Sequence, residues 1–338
     1  MELSIDRAAL ASGLSLVQGI VERRNTVPIL SHVLIEATDG SLKLSATDLE
    51  VGVRTAIACK SSGGTMTLNA RKMFEIVREA GAGEVTVKSL DNDWVELKCG
   101  RARFKMMGLD PRSFPAMPGM TETAAQPANE RKTVKGEMTI DAGVLASMID
   151  KTIFAVSPDE ARYNLSGVYI ESPEPGLARM VATDGHRMAM IDREVPGFSM
   201  QGSVIIPRKG LSELRKLLDQ AGGEPVKLVI DSNLASLGRG ATEISMRLVE
   251  GEFPDYRAVI PKDSKYQVAV PRDTILAALK RANIFSNERY HGVKIGLSEG
   301  TLTVSSTSPE MGEASETLDV DFKGEEFSIG FNASYVLQ

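Results

Sequence analysis

The sequence is poor in most residues that build chemical centres. It holds two cysteines, three histidines and one tryptophan in 338 residues. Cys59 and Cys99 form no C-x-x-C pair, so a disulfide framework or a thiolate metal site is not expected. The few cysteines fit a reducing cytoplasm. His32, His186 and His291 are too scattered to suggest metal ligation, and no cofactor motif accompanies them. No run of 18 or more apolar residues occurs, and no basic start leads into an apolar stretch and a cleavage site. Neither a membrane span nor a secretory leader is therefore expected. Positive charge is also short: 39 Lys and Arg stand against 45 Asp and Glu, a net charge of −6. A protein that grips DNA by neutralising phosphates normally carries a basic domain, so any DNA role here needs a local basic face or something other than tight grip.

What the chain does have is repetition. Ala46-Thr47-Asp48 returns as Ala182-Thr183-Asp184, 136 residues on, each time inside an apolar run. The flanks follow. "HVLIEATDGSLKLSATD" (32–48), "GVYIESPEPGLARMVATD" (167–184) and "GVKIGLSEGTLTVSSTS" (292–308) each read as alternating run, turn, alternating run, the pattern of a β-hairpin. The interval from Val33 to Thr47 is 14, from Val168 to Thr183 is 15, and from Val293 to Thr307 is 14. Upstream, 4–21, 139–156 and 269–285 read as helices opening near Asp or Pro. Downstream, 67–83 matches 205–223, two further helices with glycine at their ends; the third counterpart begins at 330–338. Polar linkers at 117–136 and 254–267 separate the units. A period of about 130 residues is too long for a solenoid and means domain duplication. The expected fold is α+β, three tandem repeats of helix, hairpin, helix and further strands, divided as 1–125, 126–253 and 254–338. Repeat three stops at Gln338, inside its second helix. Measured against repeat one, roughly 40 residues would be needed to complete it. Its sheet is therefore expected to keep an exposed edge.

In a triplicated fold, shared residues read as packing and residues unique to one repeat as function. After the common Thr-Asp, repeat one continues Leu49-Glu50-Val51, whereas repeat two alone carries Gly185-His186-Arg187-Met188 and, earlier, "EARYNLSG" (160–167). Three readings stay open for this segment. It is a turn with solvated polar residues; or Asp184 and His186 form an acid/base pair, though no nucleophile or metal set joins them; or it is a recognition groove, with Arg162 and Arg187 as donors and Tyr163, Leu165 and Met188 as adaptable apolar wall. The helices of all three repeats carry a basic bias: Arg23, Arg24, Arg71, Lys72 and Arg78; Arg208, Lys209, Arg215 and Lys216; Arg272, Lys280 and Arg281. If the repeats form an arc with helices inside, that side is basic and the outside acidic.

Together, "NTVPILSHVLIE", "SATDLE", "NARKMFEI", "RYNLSGVYIE", "VATDGHRMA", "IPRKGLSEL", "GEFPDYRAVIP", "IFSNERYHGVKI" and "GFNASYVL" resemble the bacterial DNA polymerase III sliding clamps, over essentially the whole chain. The resemblance implies a non-enzymatic, head-to-tail homodimeric ring around double-stranded DNA, with helices lining the hole and sheets outside. A clamp loader, the polymerase III catalytic subunit, other polymerases and repair proteins would be its partners, several docking by short peptides. It places the peptide pocket at Arg162, Leu165, Thr183, Gly185, His186, Arg187, Met188, Pro254, Val259, Tyr290, Asn332 and Tyr335. It places DNA contacts at Arg24 and Tyr163, and the subunit interface at Lys72, Ile76, Phe104 and Met106 against Ile284 and Phe285. Two positions depart from the family pattern: Ala258, where a basic residue is common, and Asn164, where an aromatic one is. The rival expectation from another class is a monomeric peptide-binding scaffold whose third repeat cannot close a ring.

Overall fold

The computed structural model describes residues 1–21, 26–118, 136–159, 161–219, 222–231, 233–287 and 290–338. By contacts the chain divides into two units, Met1–Phe253 and Pro254–Gln338. The helices are α1 (Arg7–Val17), α2 (Ala70–Glu79), α3 (Ala142–Asp150), α4 (Arg208–Asp219), α5 (Arg272–Ile284) and α6 (Ala333–Leu337). Four of the starts obey one device. Asp6, Asn69, Asp141 and Asn332 each accept a backbone N–H from the first turn, at 2.9, 3.0, 3.0 and 2.9 Å, satisfying a donor the helix itself leaves unpaired. Pro271 stands at the corresponding place before α5 with no side-chain acceptor, and its carbonyl accepts the Thr274 N–H at 3.1 Å. The stop of α2 differs from expectation: Ala80 turns extended at once, so no left-handed glycine ends this helix.

Each expected hairpin is present. His32–Thr38 pairs with Ser41–Thr47, Gly167–Glu171 with Leu177–Thr183, and Gly292–Ser298 with Thr301–Ser308. In repeats one and two the strand before the first helix pairs with the strand after the second: Glu2–Asp6 with Glu84–Ser89, and Gly136–Asp141 with Pro225–Ile230. Repeat three forms, among the described residues, one sheet only, in the order Gly312–Asp319, Thr301–Ser308, Gly292–Ser298, Phe327–Asn332. Leu279, Val293, Leu302 and Val304 are the centre of its separate apolar core.

Repeats one and two are fused by their sheets. The last strand of repeat two, Thr242–Arg247, pairs antiparallel with Val51–Ala58 of repeat one, so that eight strands run continuously across the boundary. Ile244 lies opposite Val53 and Met246 opposite Val51, all buried. At the same joint the buried hydroxyls of Thr55 and Thr242 hydrogen-bond at 2.8 Å. α1, α2, α3 and α4 press Leu10, Leu14, Met73, Val77, Leu145, Leu211 and Leu214 into the shared core of the first unit.

Candidate functional site

The residues unique to repeat two form a braced turn. The Thr183 hydroxyl donates to the Arg187 carbonyl (2.6 Å) and accepts from the Gly185 N–H (3.1 Å). One oxygen of Asp184 accepts from the N–H groups of His186 (2.9 Å) and Arg187 (3.0 Å), and the other from the Arg187 guanidinium (3.0 Å). Burial pushes the Asp184 carboxyl up, but these N–H groups and the guanidinium outweigh it and hold its pKa below the usual aspartate value. Both carboxylate oxygens thus brace the turn, one through backbone N–H groups and the other through the Arg187 guanidinium. Arg187 also donates to the Phe154 carbonyl at 2.6 Å and lies over that ring, 5.3 Å from its centre. Arg162 reaches across to the Asp184 carbonyl at 3.2 Å. Gly185 has φ +86, a conformation glycine adopts at least cost, and a Cβ there would stand 2.8 Å from the tip of the Arg162 side chain, which would have to move aside. Arg162, Leu165, Thr183, Gly185, His186, Arg187 and Met188 are accordingly brought together, with Gly185 and His186 exposed.

The same turn exists in repeat one. Thr47 donates to the Val51 carbonyl (2.9 Å), and Asp48 accepts from the N–H groups of Glu50 (3.0 Å) and Val51 (2.7 Å). Leu49 occupies the place of Gly185, with φ +82. Asp48 takes its charge partner from the other repeat, Lys209.

The departure Asn164 donates to the Glu252 carbonyl at 2.9 Å, so its amide ties the segment to the end of repeat two. Tyr163 beside it is 60% exposed. In the second unit Val259, at 69% exposure, and Ala258 and Pro254 stand on the surface. Tyr290 and Asn332 line one shallow depression of about 490 Å³ there, while Tyr335 is half-buried on α6. Lys72 is exposed and paired with Glu75 at 2.7 Å; Ile76 and Met106 are half-buried. Phe104 is exposed on the edge strand Ala102–Met107, as is Ile284 at the end of α5, with Phe285 half-buried. Arg24 lies outside the described residues. The sequence reading missed Phe154, which it assigned to a helix; α3 ends at Asp150 and a short 3-10 turn presents the Phe154 carbonyl instead.

Three family models match in series: the N-terminal domain of the DNA polymerase III beta subunit over 1–118, its central domain over 139–255, and its C-terminal domain over 257–338. The chain belongs to the DNA polymerase III beta subunit family. Beta sliding clamps of Proteus mirabilis and Escherichia coli K12 are 37% and 35% identical, over the whole of this chain and 89% of each relative. Solved sliding clamps agree: one from Caulobacter crescentus matches with a TM-score of 0.89 at 36% identity, and one from Bartonella birtlesii with 0.90 at 33%, each over all of this chain and 88% of that structure. This beta-subunit chain therefore has the sliding clamp fold, α+β, with three clamp domains in tandem. Among its described residues no helix is long and apolar enough to cross a membrane.

Proposed function

We propose that the chain is a processivity clamp: two molecules joined head to tail around duplex DNA, carrying replication and repair proteins by short peptides bound at the 183–188 turn. The observation that carries this reading is the joint between Val51–Ala58 and Thr242–Arg247. It joins the hairpin-side edge of one repeat to the last strand of the next. Among the described residues the same two kinds of edge stand unpaired elsewhere: Ala102–Met107 in repeat one and Gly312–Asp319 in repeat three. The first carries Arg103 and Lys105, the second Glu313, Glu316 and Asp319, so the charges suit each other. An edge-to-edge contact between different surfaces, repeated by a second molecule, closes a two-membered ring. Lys72, Ile76, Phe104 and Met106 would meet Ile284 and Phe285 of the second molecule. A ring is retained topologically and needs only a weakly attractive lining, consistent with the net charge of −6. Partners gain effective concentration at the primer end without any chemistry by the clamp.

Within this reading the domains run 1–125, 126–253 and 254–338. Arg162, Leu165, Thr183, Gly185, His186, Arg187 and Met188 contribute to the peptide site, with Pro254, Val259, Tyr290, Asn332 and Tyr335. Arg24 and Tyr163 contact DNA. The test is retention after loading by a cognate clamp loader. A chain held on nicked circular DNA but lost from the same DNA once linearised acts as a closed ring. Retention on both, or on neither while a homologous clamp loads, rejects the ring.

A further inference from the structure

The turns at 47–52 and 183–188 share their hydrogen bonds but not their cover. Thr47, Val51 and Gly52 are buried, whereas their counterparts Thr183, Arg187 and Met188 are half-buried; the tips, Leu49-Glu50 and Gly185-His186, are exposed in both. Two segments cover the repeat-one turn. From repeat two, Arg247 donates its backbone N–H to the Glu50 carbonyl (2.8 Å) and its Nε to the Leu49 carbonyl (3.1 Å). From the connector after repeat one, Met117 and Pro118 lie buried against Gly52, where a Cβ would stand 3.0 Å from Met117 Cε and 3.2 Å from Pro118 Cδ. The Pro118 carbonyl accepts a hydrogen bond from the Ser245 hydroxyl, whose residue is 1% exposed. Aligned on Thr-Asp, Gly52 is the counterpart of Met188. Repeat two therefore has a side chain where repeat one has a space, and Met117 fills that space.

We propose that the repeat-one turn, together with Val51–Ala58 and Thr242–Arg247, is a second peptide-binding groove, and that the chain's own Met117-Pro118 pair occupies it as a built-in ligand. The groove takes a short extended peptide with an unbranched apolar residue followed by proline. The apolar side chain enters the slot left by Gly52, and the proline carbonyl accepts from Ser245. A connector need only span a distance. This one is held by an apolar anchor and a buried, directed hydrogen bond, the two devices by which grooves hold extended peptides. An occupant tethered in the same chain competes at an effective concentration on the order of millimolar. The groove is therefore silent to outside peptides unless the occupant is weakened. The inference rests on the reading of the 183–188 turn as a recognition element, but its test uses the chain's own segment and no partner protein.

The probe is a fluorescein-labelled synthetic peptide of sequence Ser-Phe-Pro-Ala-Met-Pro (residues 113–118), titrated with the full chain by fluorescence anisotropy. The unaltered chain should bind it at least about tenfold more weakly than the variant M117S/P118G, which should bind one peptide per chain. Adding Gly52→Met, which restores the side chain repeat two carries, should abolish the binding. The Arg187→Ala background should leave it intact, which separates this groove from the repeat-two site. Should M117S/P118G fail to fold, M117A with the same titration takes its place. A folded variant that binds no better than the unaltered chain, or binding that survives Gly52→Met, overturns the proposal. Loss of binding in the Arg187→Ala background overturns it too, by placing the probe on the 183–188 turn.

Discussion

Arg187 touches three groups at once: the Asp184 carboxylate, the Phe154 carbonyl and the Phe154 ring. Replacing it with alanine leaves a part-buried carbonyl and a half-satisfied carboxylate. Arg187→Ala should therefore destabilise the first unit by about 1–3 kcal/mol in urea unfolding and weaken partner peptides as well. An unchanged urea midpoint would show that these bonds are incidental. His32 offers a pH prediction. Burial lowers its pKa, against the pull of the Pro28 carbonyl, so the folded chain resists a proton that the unfolded chain accepts. Its stabilisation is whole above the ordinary histidine value and declines as pH falls below it towards the lower folded value. The decline in melting temperature between roughly pH 7.5 and 5 should be shallower in His32→Gln than in the unaltered chain. Equal slopes would remove His32 from the account.

At the scale of elements, the Thr-Asp turn and the inter-repeat joint do the organising. Leu49 holds φ +82, a left-handed conformation that disfavours a side chain, and only the surrounding bonds keep it there. Leu49→Gly should relieve that strain, less the added entropy of the unfolded chain, and stabilise by about 0.5–1 kcal/mol. A fall in the urea midpoint would mean that the exposed leucine makes a contact the turn depends on. The joint makes a sharper prediction. Thr55→Val alone strands the buried Thr242 hydroxyl and should destabilise by about 1–3 kcal/mol, whereas T55V/T242V should be nearly neutral. Additive losses in the double variant would contradict a mutual bond between these hydroxyls.

For the whole molecule, the proposed ring turns on two edges. Phe104 and Ile284 are large, apolar and exposed, and Phe104→Arg or Ile284→Asp should lower the sedimentation mass from twice 36.4 kDa to 36.4 kDa while the circular dichroism spectrum stays the same. An unchanged dimer would mean that the ring closes elsewhere. The sequence by itself determined the triplication, because a repeated hydrophobic alternation, with Thr-Asp after the first two hairpins and Thr-Ser after the third, is local and each segment repeats its own pattern. It determined the helix starts for the same reason: a cap acts over three residues. The special character of 183–188 was also legible, as the residues repeat two does not share with the others. Only the tertiary structure decided that Asp184 spends its carboxylate on backbone N–H groups, that Phe154 receives Arg187, and that Lys209 answers Asp48 across a repeat boundary. Strand pairing between Val51–Ala58 and Thr242–Arg247 joins positions nearly two hundred residues apart, with Thr55 and Thr242 separated by 187. Nothing in either strand's own alternation names its partner. Met117 likewise reads as an ordinary linker residue until the fold sets it against Gly52, because the space it fills is made by a side chain that is not there.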